Sequence, residues 1–183
     1  MQDLNNLKRK VNQYKEVLNN TEMYRKEWKE KLKAHIISTM ENLIKESGLD
    51  ATVELKETVE HLEAIVISLG QRKSGIYEKV NDDLQRHLIK HNGALIYQQL
   101  FNGKVVVLIN YPMIEGYGEP RPPRNIAIYR PEELEPPFFI RHLEELVKEV
   151  TNWEDYDDDE PSQSNPRIGF NMNLLDASMQ DGQ

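Results

Sequence analysis

Apolar residues recur along this chain with two different periods, and the switches between them mark out its elements. Leu4, Leu7, Val11, Tyr14 and Leu18 fall at 3-4-3-4 spacing, the a and d positions of two heptads set among Lys, Asn and Glu. Asn19-Asn20-Thr21 breaks the pattern, and Asn20 or Thr21 is a good N-cap for a second helix beginning near Glu22. In that helix Tyr24, Trp28, Leu32, Ile36, Met40, Leu43 and Ile44 repeat every three or four residues until Ser47-Gly48 supplies a stop. The stripe suits a core face, and its Tyr24, Trp28 and Leu32 suit a protein-binding or dimer face.

The period then falls to two. Thr52 to Glu57 alternates apolar and charged residues, Ala64 to Leu69 is β-branched and nearly continuous, and Ile76 to Val80 follows a turn at Gln71 to Gly75. These three runs predict a meander. Asn81, with Asp82 and Asp83 behind it, reads as the cap of a helix whose Leu84 and Leu88 face inward until Asn92-Gly93 ends it. Residues 94–101 and 104–110 flank Asn102-Gly103, the dipeptide that favours a two-residue hairpin turn. After a proline-rich loop over 111–124, Asn125 to Arg130 predicts a short edge strand. Pro136-Pro137 opens a last helix in which Phe139, Leu143, Leu146, Val147 and Val150 share one face.

The sum is an α+β fold: an antiparallel sheet of about five to six strands, in the order helix-βββ-helix-ββ(β)-helix, packed with N-terminal and C-terminal helices. Over residues 22–152 this order of elements resembles the type III secretion chaperones and their relatives. The resemblance implies a small, acidic, usually dimeric cytoplasmic protein that holds a partner chain by non-catalytic contacts. The extra heptads, the proline loop and the acidic tail depart from that pattern.

Composition sharpens the organisation. The 183 residues carry a formal charge of −8, and the length suits one domain with accessories. By segment the net charge is +3 over 1–48, −4 over 49–153 and −7 over 154–183, so most of the excess lies in the tail. Three regions are expected: a helical, coiled-coil extension over 1–20, a single α+β domain over 21–153, and a disordered acidic tail over 154–183, too poor in apolar groups to offset the entropy of ordering. Within the tail, Ile168 to Leu175 regains apolar residues and offers a short docking peptide. The absence of cysteine excludes disulfides and thiol chemistry. The start lacks the apolar run of a secretory signal, and no apolar run approaches 18 residues, so a cytoplasmic chain that does not enter membranes is expected. Lys8-Arg9-Lys10 is one short basic cluster on an acidic chain, and nucleic acid is not an expected partner.

Candidate chemistry is sparse. His87 and His91 at i and i+4 would share a helix face at a metal-ligand spacing, but no third ligand accompanies them and no metal or cofactor is expected. Glu60-His61 with Glu63 sits beside a turn, where such residues are common, and glycine-rich phosphate loops and nucleophile-elbow motifs are missing. The proline loop and the strand after it hold the remaining recognition residues: Tyr117, Arg121 and Arg124, then Ile126 and Ile128 on an exposed edge. A non-catalytic, protein-binding homodimer is therefore expected, with a small-molecule-binding or hydrolytic domain as the alternative.

Overall fold

A computed structural model describes residues 2–81 and 84–156, which bear out the α+β class and leave the tail beyond Tyr156, with its peptide at 168–175, outside the described residues. One long rod of helix comes first: α1 (Gln2–Glu27), a π-helical turn (Trp28–Leu32) and α2 (Lys33–Ser47) run on without a break. The expected interruption at Asn19 to Thr21 does not occur. Thr21 donates its hydroxyl to the Val17 carbonyl 3.0 Å away, bonding back along the helix instead of capping a new one. Gly48 ends the rod in the left-handed region at φ +70°.

Among the described residues eight strands follow: β1 (Thr52–Lys56), β2 (Ala64–Ser68), β3 (Gln71–Lys79), β4 (Gln85–His91), β5 (Ala94–Gln99), β6 (Val105–Asn110), β7 (Met113–Ile114) and β8 (Arg124–Tyr129). They form a five-stranded sheet in the order β1-β2-β5-β6-β8 and a three-stranded sheet in the order β3-β4-β7, antiparallel throughout. The expected helix after Asn81 is thus the strand β4, and the expected meander is divided between the two sheets. The burial of Leu88 and Lys90 with a period of two explains the difference: the segment is half of a pair with β3, and cross-strand packing outweighs the local cap and stop signals.

The two sheets are joined through one hairpin. Leu69 donates its backbone N–H to Gly93 at 3.1 Å, and Asn92 donates to Gly70 at 3.0 Å, so β2–β3 and β4–β5 are the arms of one long hairpin bent at Gly70 and Gly93. Both glycines have positive φ. At Gly93 an added Cβ would also stand 3.0 Å from the Asn110 carbonyl oxygen.

α2 and α3 (Pro136–Glu154) cover one face of the five-stranded sheet. Between them lie Ile36, Met40, Phe139 and Leu146 from the helices and Ile65, Ile67, Leu95, Tyr97, Val107 and Ile109 from alternate sheet positions. Among the described residues no helix is long and apolar enough to cross a membrane.

The Asn102-Gly103 hairpin differs in one detail from the two-residue form. Leu100 donates its N–H to Lys104 at 2.7 Å and Gly103 donates to Leu100 at 2.8 Å, making a three-residue loop over 101–103 with Gly103 left-handed. The extra residue lets the turn meet the rod: an added Cβ on Gly103 would lie 2.6 Å from the Tyr24 Cβ and 3.0 Å from backbone atoms of Thr21 and Arg25. Gly103→Ala is therefore expected to cost about 2–3 kcal/mol, from overpacking and a positive φ together. Urea denaturation checks this; a loss within the error of the wild-type value would show that the rod is free to shift from the turn.

Candidate functional site

Every residue from Leu4 to Asn19 is exposed, so about 24 Å of α1 stands clear of the domain. Leu4 is 56 % exposed, Leu7 56 %, Val11 41 %, Tyr14 62 % and Leu18 48 %, which leaves the heptad stripe open along its full length. Soluble chains seldom leave such a row uncovered. The rod first touches the body at residues 21–25, where Arg25 donates from its guanidinium to the Phe101 carbonyl at 2.6 Å and Tyr24 is half-buried beside Gly103.

One turn further on, the helix enters the core. Trp28 is 1 % exposed and Leu32 5 %, so these two expected partner-binding residues are interior residues of this chain. Both are held by the π turn, whose end is marked by the Lys33 N–H donating to the Trp28 carbonyl. The Trp28 indole N–H donates to Glu63 at 2.9 Å, and the Lys33 ammonium donates to Glu63 at 3.0 Å and Glu57 at 2.6 Å. Burial pushes the Glu63 carboxyl up, but these donors and the Lys33 charge bring it net below its ordinary value. The hydrogen bonds to Glu57 and Glu63 raise Lys33 against a smaller opposing effect of burial. Glu63 therefore clamps the β1–β2 turn to the rod. His61, in the same turn, is left-handed at φ +63°.

The proline loop divides its residues between structure and surface. Arg124 forms an ion pair with Glu145 at 3.1 Å and another with Glu149, which fastens β8 to α3 and commits its guanidinium to this chain. Ile126 packs against the core, while Ile128 is 52 % exposed at the open edge of β8. Tyr117 is half-buried, its N–H donating to Ile114 at 3.1 Å. Arg121 is exposed and lies over the Tyr111 ring, 4.1 Å from its centroid. With Gln71, His91, Asn110 and Tyr111 it lines a groove of about 230 Å³ at the hairpin bend. The structure thus brings Arg121 to the groove and sets it apart from the rod residues Tyr24, Trp28 and Leu32.

Sequence reasoning missed the groove because its residues meet only through the bend. Gly70, which closes the run 64–69, and Gly93, which opens the run from Ala94, were the signal available. His87 and His91 do lie on one face, but of a strand, which puts their Cα atoms about 13 Å apart and denies them a common metal. His87 packs on Tyr77 with ring centroids 4.3 Å apart. The Gln71 side-chain amide donates to the His91 Nδ1 at 3.1 Å, which leaves Nε2–H to donate to Glu115 at 2.8 Å.

A second site escaped the sequence reading. His142 is fully buried, with Nδ1 2.8 Å from the Tyr97 hydroxyl and Nε2 3.1 Å from the Tyr129 hydroxyl. A neutral imidazole has one N–H and one lone pair, so one tyrosine donates and the other accepts. Desolvation by burial lowers the His142 pKa to about 4, with the Arg141 charge adding to the effect. The spacing of Phe139, His142, Leu143 and Leu146 on one helix face is the sequence signal for this burial. Compared with known proteins, the chain matches no family model, no curated protein and no solved structure.

Proposed function

We propose that this protein is a non-catalytic, chaperone-like adaptor that holds a partner protein, with α1 as the docking element. The observation that carries the reading is the exposed a/d stripe from Leu4 to Leu18 on a helix that stands clear of its own domain. The reading includes a twofold homodimer joined along β8, where Ile128 is exposed beside the unpaired backbone groups of a sheet edge. A cytoplasmic location accords with it.

Photo-cross-linkers at Leu7, Val11 and Tyr14 test the docking element in cells. They are expected to give discrete protein adducts, while the same group at Asn6 and Gln13, on the polar face, gives none. Light scattering of the purified chain is expected to report a dimer. A monomer with no preference between stripe and polar-face positions would overturn the reading. The second reading, a small-molecule-binding or hydrolytic domain, has one observation in its favour, the groove of Gln71, His91, Asn110, Tyr111 and Arg121.

A further inference from the structure

The groove at the hairpin bend is open where the chain turns. An added Cβ on Gly70 would meet nothing within 4 Å, and the glycines of the bend leave bare backbone where side chains would otherwise fill the space. Among the described residues lining it, Arg121 is the only arginine or lysine, and there is no aspartate or glutamate. Two acids touch the lining from outside and are engaged there. Glu115 accepts from His91 at 2.8 Å, and Glu149 is shared by the Tyr111 hydroxyl and Arg124.

Arg121 carries its charge into this groove without an ion pair to any described residue. Its guanidinium carbon lies 4.1 Å from the centroid of the Tyr111 ring. A guanidinium seated by its face on an aromatic ring keeps the N–H groups of its plane unspent. The shelf beneath it is itself fixed, because the bond to Glu149 ties the Tyr111 ring to α3. Asn110 adds a second free donor. Its backbone is paired with Ala94, but its side-chain amide has no hydrogen bond to another described residue. His91 contributes none, being held between Gln71 and Glu115.

These groups select among ligands by charge and shape. Among the described residues no three potential metal ligands meet, so a cation finds no cage here. A phosphate carries more charge and a third oxygen, and is ordinarily met by a nest of backbone N–H groups or a helix N-terminus besides a cation. A carboxylate has a single charge and two coplanar oxygens, which one guanidinium fork meets with two parallel hydrogen bonds. The volume of about 230 Å³ falls below that of drug-sized sites, so the acid is a small one.

We propose that this groove binds the carboxylate of a small organic acid, with the Arg121 fork on its two oxygens and the Asn110 amide beside them. The Tyr111 ring, Met113 and Pro120 supply apolar surface for its carbon body. The inference rests on the reading of this groove as a small-molecule site and is independent of the role of α1.

Benzoate is the probe, with benzamide as its neutral isostere and inorganic phosphate as the competing anion, each titrated into the isotope-labelled full chain at physiological ionic strength. Benzoate is expected to shift the amides of Gly70, Gly93 and Met113 saturably. Benzamide and phosphate are each expected to bind at least about tenfold more weakly, the loss of one charge-assisted pair. Arg121→Gln is expected to weaken benzoate by a similar factor. Arg121 is exposed, so this variant leaves the amide spectrum outside the groove unchanged. Equal binding of benzoate and benzamide would keep the groove as a small-molecule site and overturn its assignment to carboxylates. No saturable shift from either would overturn both. Phosphate binding tighter than benzoate, or benzoate binding unmoved by Arg121→Gln, would overturn the inference alone.

Discussion

Trp28→Ala is expected to lower stability by about 3–5 kcal/mol, the range for removing a fully buried aromatic side chain. The residue is 1 % exposed at the point where the rod enters the core, and its indole N–H is one of two donors on the Glu63 carboxylate. Truncation leaves a cavity beneath the π turn and a half-buried carboxylate short of a hydrogen bond, and the two costs act together. For a domain of this size the loss corresponds to a fall of about 10 °C in Tm. Trp28→Phe separates the two contributions, since it refills most of the volume and still leaves Glu63 without the indole, and about 1–2 kcal/mol is expected for it. Chemical denaturation followed by far-ultraviolet circular dichroism reads both. A Trp28→Ala loss below about 1 kcal/mol would mean that the rod is held by α2 alone and that the Trp28–Glu63 clamp carries little.

Acidification is expected to destabilise the fold through His142 well before most carboxylates titrate. The folded-state pKa of about 4 lies below the ordinary 6.5, so the unfolded chain binds the proton more readily. Stability from this residue is complete above about pH 6.5 and falls as the pH drops toward 4, below which both states are protonated. The shift is equivalent to about 3 kcal/mol in all, of which about 2 kcal/mol is lost between pH 7 and pH 5. Between those values His142→Gln is expected to give a nearly flat stability profile from a lower starting point. Denaturation midpoints of the two proteins at pH 7, 6 and 5 check the prediction. Parallel profiles would show that the imidazole takes up its proton without leaving the Tyr97–Tyr129 site.

These two residues also show how far the sequence could be read. Trp28 was legible as a member of an apolar stripe, and the α+β class, the strands β1, β2, β5, β6 and β8 and the final helix followed from periodicity. Periodicity does not say whether a stripe is covered by its own chain. Leu4 to Leu18 and Trp28 to Met40 carry similar patterns, yet the first is exposed and the second buried, because only the second lies over the sheet. β4 was misread for a related reason. Asn81 and Asn92-Gly93 are valid helix signals, and what overrides them is a partner strand in β3 whose pairing leaves no local trace. The ion pairs of Arg124 rest on tertiary information of the same kind, the acids Glu145 and Glu149 lying on α3 more than twenty positions away in sequence.

The bent hairpin has a consequence for how this molecule can vary in length. Its proximal half, β2 with β5, is bordered by β1 on one side and β6 on the other, so its register is fixed by two further strands. Its distal half, β3 with β4, is bordered among the described residues only by the two residues of β7. Beyond the register shift between Lys73 and Tyr77 the arms touch chiefly each other, from the Tyr77–His87 pair to the Arg86–Glu78 ion pair. Residues can be added or removed there in matched pairs, one from each arm, without moving any atom of the five-stranded sheet. The distal half of this hairpin is thus an arm whose reach the five-stranded sheet does not fix.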